Sequence, residues 1–359
     1  MHIRISSTIT FFYLCIAAAF FFIIGEAMLD EETHIQFFAD SSTYEKAAYN
    51  MNELTTSELI ISNPNYFGMI SILRLMNGNR WKILFLNMFV FALSVSIIIN
   101  AGTFNRKLFV ILVCINPMTL SSLLSINKEI FSLFTIALLI YGINKHNFMA
   151  LLACLIISFF VRWQMSLFVI VFWVLISPLN FFRHRRLLTC LISIVVMSAV
   201  FYEIGNIAFP NVTEVASEGV AQWEGTGLWG WLLNIQYSGG YFMVFPLKAL
   251  HSMFGILAYI KKIVDPPEFY NYVVVMLHSL TMLCVMLYAF VKKKLRLKNN
   301  TFYIAIIYLL IFGLTPIYAP RYFYPVFVLL CVLVSEKSVW QKNIHRLDKV
   351  ANKARSLAY

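Results

Sequence analysis

The chain has 359 residues, of which 60% are hydrophobic and only 13% are charged, and its mean hydropathy is +0.76. A soluble domain carries roughly 25% charged residues, so this chain has too few of them to cover a surface that faces water. The composition therefore excludes a string of soluble domains. It predicts a single all-α polytopic membrane domain over residues 1–335, followed by a basic cytoplasmic tail over 336–359.

Apolar runs along the chain predict about ten transmembrane helices, since a spanning helix takes about 20 apolar residues, or somewhat fewer where its ends are buried in protein. The runs lie at roughly 8–25, 83–101, 108–124, 129–144, 148–162, 165–180, 187–206, 270–291, 301–316 and 321–335. The first run follows Arg4 as a signal peptide would, but it is long and no A-x-A cleavage pattern follows it. We therefore interpret it as the first membrane helix, and an even number of spans places both termini on one side.

The basic residues identify that side as the cytoplasm. With the N-terminus inside, the inner segments hold 18 bases and two acids, Glu336 and Asp348, and the outer segments hold the other 10 bases and 15 acids. The resulting charges of +16 and −5 sum to the net +11 of the chain. Cytoplasmic loops are enriched in Lys and Arg, so both termini are predicted to be cytoplasmic. The basic tail suits an anionic lipid surface, and no nucleic-acid partner is predicted.

Two long extracytoplasmic loops, at about 26–82 and about 207–269, are predicted between the spans. In the second loop the apolar stretch 241–260 is interrupted by Pro246, Lys248 and His251. A single span there would place the basic run after the next helix outside, so we interpret the stretch as an interfacial or re-entrant helix. A pair of short spans would keep the same parity and is the alternative.

Four ionisable residues lie in short turns that this topology places on the outer side. Lys128 and Glu129 separate the third and fourth runs, Arg162 follows the fifth, and Arg321 separates the last two. Ionisable groups at membrane depth are costly and usually mark function. Together they predict a pocket for an anionic lipid headgroup, in which Arg binds phosphate in a bidentate manner and Lys acts as a point charge. The alternative is that the long basic side chains only snorkel to lipid headgroups.

The first outer loop supplies the opposite charge, and its residues Asp30, Glu31 and Glu32 are predicted to form a solvated acidic turn. Asp40 precedes a predicted helix at 45–51, and it is either the N-cap of that helix or a general base for a sugar hydroxyl. The sequence Asn63-Pro64-Asn65-Tyr66 then opens a second predicted helix at 66–77, which we expect to lie along the membrane interface.

Neither a metal site nor a cofactor is predicted. The six cysteines all lie in apolar runs, and no CxxC or Cys/His spacing is present. The sequence thus predicts cysteines that serve as small hydrophobic residues.

Several of these segments resemble the integral-membrane glycosyltransferases of the GT-C superfamily. The resemblance is carried by Asp40-x-x-x-Tyr44 after the first span, by Asn63-Pro64-Asn65-Tyr66, by Asn116-Pro117 before the Lys128-Glu129 turn, by Arg162, and by Arg321-Tyr322-x-x-Pro325. Within the superfamily, the size and the outer loops are most similar to the bacterial O-antigen or capsule repeat-unit polymerases of the Wzy type. The resemblance covers most of the chain as architecture.

This resemblance implies a multi-pass protein of the bacterial inner membrane that joins polyprenyl-pyrophosphate-linked oligosaccharides on the extracytoplasmic face. The implied partners are the lipid-linked donor and acceptor, membrane lipid, and a chain-length regulator or other glycan-assembly proteins. We expect Asp40 to be the general base and Arg162, Arg321 and Lys128 to bind the diphosphate. The remaining expected site residues act on the substrate or on these cations, and they are Glu129, Tyr44, Tyr322 and Trp229.

Two other functions are compatible with the sequence. A GT-C transferase would add one sugar from a polyprenyl-monophosphate donor and yield one product instead of a ladder of lengths. A lipid-oligosaccharide flippase or transporter belongs to a different class, for which inverted repeats and ionisable groups near mid-membrane are typical. No repeat is visible in the sequence, and a receptor or scaffold would not require charged outer turns.

Overall fold

The computed structural model describes residues 5–24, 39–50, 65–102, 104–178, 180–205, 228–255, 269–315 and 318–337. Throughout these ranges the regular structure is helical, and the β pairing is limited to one isolated bridge between Phe104 and Glu336. The all-α prediction is confirmed for this part of the chain. Asp30, Glu31, Glu32, Asn63, Pro64 and the tail beyond Lys337 lie outside the described residues.

The helices follow the predicted apolar runs. The first eight are α1 (Ile5–Ile24), α2 (Ala39–Asn50), α3 (Phe67–Leu75), α4 (Arg80–Ala101), α5 (Arg106–Ile115), α6 (Pro117–Leu124), α7 (Glu129–Lys145) and α8 (Phe148–Val161). The others are α9 (Trp163–Ile176), α10 (Arg186–Val200), α11 (Leu228–Ile235), α12 (Tyr241–Phe254), α13 (Phe269–Val291), α14 (Asn300–Phe312) and α15 (Tyr324–Ser335). Short π-helical turns follow α10 (Phe201–Gly205) and join α11 to α12 (Gln236–Gly240), and a 3₁₀ turn (Pro320–Phe323) precedes α15.

Membrane-spanning character is evident in the length and apolarity of the helices. Among the described residues, four helices are long and apolar enough to cross a membrane, at Ile5–Ile24, Arg80–Ala101, Arg186–Glu203 and Tyr272–Val291. The bent pair α5 and α6 makes a fifth if it is counted as one span, and α8, α9, α14 and the segment Pro320–Ser335 are shorter apolar helices. A membrane protein is therefore supported, while the count of ten crossings stays a prediction.

The last helix is the centre of the bundle. All twelve residues of α15 are buried, and the helix packs against α5, α7, α13 and α14. A helix that is hydrophobic on every side has to be covered on every side, and here protein covers it. The outer helices instead leave large apolar side chains exposed, including Phe22, Met149 and Phe290. Exposure of this kind on many helices is rare in soluble monomers and suits contact with lipid.

Charged and polar side chains gather at two opposite ends of the bundle. At one end, the Lys294 amino group donates to the carbonyl of Val334 at 2.6 Å, and Arg186 donates to the carbonyl of Leu297 at 2.8 Å. We call this the Lys294 end, and the segments that meet here are those predicted to be cytoplasmic. The opposite end holds the turns of Lys128, Arg162 and Arg321, and we call it the Arg162 end. The helices α7 and α15 run from one end to the other, so the predicted separation of the two charge groups is present in the fold.

The predicted helix at 108–124 is broken into α5 and α6, which are bent by 71°. Pro117 lacks an N–H group and starts α6, while the Asn116 side chain accepts a hydrogen bond from the Met118 N–H at 2.9 Å. The same side chain donates to the Thr281 hydroxyl at 2.9 Å and lies 3.0 Å from Nδ1 of His278. Asn116 therefore caps α6 and joins the bend to α13.

The helix predicted at 45–51 begins earlier, at Ala39, so Asp40 lies in the first turn of α2 rather than before a helix that starts at Glu45. The extension has a tertiary cause. The Ser41 hydroxyl donates to the carbonyl of Ile126 at 2.8 Å, and the Tyr44 side chain is fully buried. Packing of this kind stabilises helical turns that local propensity alone would leave open.

The segment predicted as the second outer loop contains a helical hairpin formed by α11 and α12. The chain reverses at Gly239, which has a φ of +85°, and the rings of Trp229 and His251 near the open end of the hairpin lie 5.9 Å apart. The carbonyl of Gly239 accepts a hydrogen bond from Ser198 at 2.7 Å. Near the tip of the hairpin, the Tyr241 hydroxyl donates to the carbonyl of Leu310 in α14. Both ends of the hairpin return to the Arg162 end of the bundle, where they contact Tyr318.

Candidate functional site

The turn that carries Lys128 and Glu129 is rigid and buried. The Asn127 side chain accepts from the Glu129 N–H at 3.0 Å and donates to the carbonyl of Ser125 at 3.2 Å. Asn87 of α4 donates to the same Ser125 carbonyl at 3.0 Å. Lys128 and Glu129 are 5% and 4% exposed. Because the turn is buried and held by several hydrogen bonds, its charged residues do not serve only to keep a surface loop in contact with water.

Arg162 and Glu129 form a buried ion pair at 3.0 Å between the guanidinium and Oε1. Arg162 lies at the break between α8 and α9 in extended backbone, and its N–H donates to the carbonyl of Ser158. Glu129 is the first residue of α7, where the helix dipole favours a carboxylate. Both side chains are at least nine-tenths buried, so removal of either partner would leave an uncompensated charge in the protein.

Tyr322 brings the two arginines together. The Arg162 guanidinium lies 4.0 Å from the centre of the Tyr322 ring, and that of Arg321 lies 5.7 Å from it. The carbonyl of Tyr322 accepts a hydrogen bond from the buried Tyr308 hydroxyl at 2.7 Å, which holds the 3₁₀ turn against α14. Cation–π contacts of this geometry are attractive, more so where the groups are desolvated.

Lys128 lies beside a pair of tyrosines. Its Nζ is 5.3 Å from the centre of the Tyr44 ring and 5.0 Å from that of Tyr66, and the two rings pack edge to face. Tyr66 directly precedes α3, whose Gly68 lets that helix contact α8 backbone to backbone, since a Cβ there would lie 1.7 Å from the Phe160 carbonyl oxygen. Lys128 directly precedes Glu129, which pairs with Arg162, so the Lys128 and Arg162 groups are neighbours.

We call these residues the tyrosine–cation cluster, and they are Tyr44, Tyr66, Lys128, Glu129, Arg162, Arg321 and Tyr322. Its three cations and one carboxylate give the cluster a formal charge of +2. Within the described part of the chain, Nε of Arg162 is buried and makes no hydrogen bond. A buried donor without an acceptor is costly, so this atom is a place for an acceptor oxygen from a ligand.

The structure assembles six of the predicted site residues in the cluster, and they are Lys128, Glu129, Arg162, Arg321, Tyr44 and Tyr322. The backbone of Asp40 is next to Ser41, which docks on the Lys128 turn, and the Asp40 side chain is outside the described residues. Trp229 lies in a different group of side chains, where it is 4% exposed and its ring is near Lys248, His251 and Tyr318. Its expected contact with the substrate stays a prediction.

Sequence reasoning did not assign a role to two residues that the structure places in these groups. Tyr66 is part of the Asn63–Tyr66 motif, but only the contact with Lys128 identifies it as a member of the cluster. Lys248 interrupts an otherwise apolar stretch, and this cation is the signal that it has a specific partner. Among the described residues, no three His, Cys, Asp or Glu side chains are grouped as metal ligands would be.

No family model matches this chain, and neither does any curated protein or solved structure.

The first prediction concerns the buried ion pair. We expect Glu129→Gln to lower the free energy of unfolding by about 3–5 kcal/mol, because it leaves the Arg162 charge buried without its partner. The control is Glu45→Gln in the more exposed Arg80–Glu45 pair, where 3.4 Å separates the charged groups. That change should cost only about 0.2–1 kcal/mol. Denaturation of the purified proteins in detergent measures both, and equal losses would contradict the structural role of the Arg162–Glu129 pair.

Proposed function

We propose that this protein is a membrane-embedded glycosyltransferase that joins polyprenyl-pyrophosphate-linked oligosaccharide repeat units into a surface polysaccharide. The observation that carries the proposal is the tyrosine–cation cluster, which combines a formal charge of +2 with a buried Arg162 Nε that has no acceptor among the described residues. Guanidinium groups bind phosphate in a bidentate manner, and a positively charged, desolvated site suits a diphosphate. The resemblance to the GT-C superfamily is compatible with this chemistry.

The proposed reaction needs few protein groups. The acceptor hydroxyl attacks the anomeric carbon of the donor, its proton passes to the Asp40 carboxylate, and the bond from the sugar to the diphosphate oxygen breaks. Negative charge that develops on the leaving diphosphate is stabilised by Arg162, Arg321 and Lys128, which are held in place before the reaction. Glu129 orients Arg162, and the lipid anchors position donor and acceptor at one depth.

The proposed topology has about ten transmembrane helices with both termini in the cytoplasm of a bacterial cell. It is supported by the two ends of the bundle, because the basic segments meet at the Lys294 end and the cluster lies at the opposite end. The α11–α12 hairpin fits a re-entrant element, since both of its ends contact the Arg162 end. Exposed apolar residues on α12, among them Met243 at 70%, suit contact with lipid.

Two alternative functions would give different assay results. A transferase that uses a polyprenyl-monophosphate donor would give a single product, whereas a polymerase gives a ladder of lengths. Transport is favoured by one observation, the break between α5 and α6, because discontinuous helices often form the substrate sites of transporters. Asn116 and the fully buried His278 lie at that break. A transporter would move lipid-linked oligosaccharide across a vesicle membrane without forming a glycosidic bond.

The second prediction concerns orientation. Reporter fusions after Asn147, Arg186 and Lys298 should report the cytoplasm, and fusions within 30–60 or 210–235 should report the outside, because the basic segments remain inside. A cytoplasmic signal at 210–235 would move the cluster to the wrong face for extracytoplasmic polymerisation.

The third prediction concerns Arg321, which is only partly buried and lies outside the Arg162–Glu129 ion pair. Arg321→Ala should abolish formation of a ladder from lipid-linked oligosaccharide by the purified protein, while its stability in detergent stays near that of the unchanged chain. Arg321→Lys should restore little activity, since an ammonium lacks the planar fork that binds two phosphate oxygens. Full activity of Arg321→Lys would favour a general positive field over direct diphosphate binding.

The fourth prediction concerns Asp40. Asp40→Asn keeps the shape of the side chain and removes its ability to accept a proton, so turnover should fall by roughly 10²–10⁴-fold. Binding of the donor lipid, measured beside turnover, should persist. Near-normal turnover would remove Asp40 as the base and leave its place in the first turn of α2 as its role. Lost donor binding would instead assign Asp40 to substrate positioning.

A further inference from the structure

The amino group of Lys248 lies at the C-terminal end of α14, although its helix belongs to the second outer loop. Lys248 is fully buried, and its Nζ donates to the carbonyl of Thr315 at 2.9 Å and to the side-chain carbonyl of Gln236. Gln236 in turn donates to the carbonyl of Leu314 at 2.7 Å. The Tyr241 hydroxyl donates to the carbonyl of Leu310, also at 2.7 Å.

One of these contacts meets a need that every helix end has. The last carbonyls of a helix lack partners within the helix, and the Tyr241 hydroxyl satisfies that of Leu310. Buried polar groups are costly unless they are hydrogen-bonded, which applies to the Lys248 amino group and to the carbonyl of Thr315 that it meets. The hairpin therefore supplies three side chains to this region, of which Tyr241 bonds the last turn of α14 and Gln236 and Lys248 bond the two residues after Gly313.

The same hairpin also holds the segment that leads from α14 to Arg321. Nζ of Lys248 lies 4.9 Å from the centre of the Trp229 ring, and that ring packs edge to face against Tyr318 at 5.0 Å. The Tyr318 hydroxyl donates to the carbonyl of His251 at 3.2 Å. Lys248 thus binds the chain at Thr315 and supports Trp229, which packs on Tyr318 three residues before Arg321.

We propose that Lys248 is a positioning residue for Arg321. Its hydrogen bond to the carbonyl of Thr315 and its contact with Trp229 set the location of the 3₁₀ turn Pro320–Phe323. This turn carries Arg321 and Tyr322, which lie beside Arg162. The consequence for diphosphate binding rests on the proposed function, whereas the placement of Arg321 does not. Trp229 is then a support for Tyr318, which agrees with its burial.

Lys294 provides a matched control at the opposite end of the molecule. Its amino group donates to the carbonyls of Leu333, Val334 and Glu336 at 3.2, 2.6 and 2.7 Å, so it holds the end of α15 by backbone carbonyls as Lys248 holds the chain just after α14. Lys294→Met removes a comparable set of bonds at the Lys294 end. It should affect stability without any effect on the Arg321 turn.

The test that is independent of function measures the accessibility of the turn. Arg321→Cys places a thiol on the turn, and a membrane-impermeant maleimide should label it in protein reconstituted in lipid nanodiscs. Adding Lys248→Met should change the labelling rate on the order of tenfold, because the turn is released from its support. Lys294→Met should leave the rate unchanged, and Lys248→Arg should restore it in part. The protein that retains Arg321 reports the labelling of the other cysteines. A rate unaltered by Lys248→Met would overturn the proposal.

The second measurement uses binding of a polyprenyl diphosphate to the chain with Arg321 intact. Lys248→Met should weaken binding, and the double variant Lys248→Met/Arg321→Ala should bind no worse than Arg321→Ala alone, because residues that act as one unit are not additive. Additive losses would overturn action through Arg321. If Lys248→Met does not fold, Tyr318→Phe removes the hydroxyl that bonds His251 and should change labelling in the same direction. A labelling response without any diphosphate binding by the unchanged chain would contradict the proposed function and support the positioning role.

Discussion

The ion pair between Arg162 and Glu129 is the interaction on which the rest of the Arg162 end depends. It joins the start of α7 to the break between α8 and α9. The Arg162 guanidinium also packs on the Tyr322 ring of the 3₁₀ turn Pro320–Phe323. Two charges buried this deeply are stable only together. Since Glu129 neutralises one arginine alone, Lys128 and Arg321 leave the cluster positively charged, which is the property that an anionic ligand requires.

A lysine at each end of the bundle donates to backbone carbonyls near the end of a helix. Lys294 bonds the last turn of α15 at one end, and Lys248 bonds Thr315, three residues after α14 ends, at the other. Buried carbonyls in these places are costly unless they accept a hydrogen bond, and neighbouring segments supply it. At the Arg162 end the supplier is the α11–α12 hairpin, which also packs on Tyr318, so structural support and candidate site are adjacent.

Predictions from the sequence succeeded where a pattern was local and strong. Helices occur in the predicted apolar runs. The charged turns that were predicted to face outward gather at one end, because a charge buried within the apolar bundle is costly. The start of α2 was predicted too late, since its first turn depends on Ser41 and the carbonyl of Ile126, 85 residues away. The bend at Asn116 was also missed, although Pro117 marks it, because the angle between the two helices depends on contacts of Asn116 with α13.

The sequence by itself determined the membrane character, the all-α architecture and which cations are costly to bury. These properties follow from composition, from the length of apolar runs and from charge. Only the tertiary structure decided which of those residues meet. It paired Arg162 with Glu129, placed Tyr66 beside Lys128 and turned Lys248 towards the end of α14. Such contacts join segments far apart in the chain, and their geometry depends on how the helices pack, which no local pattern of residues specifies.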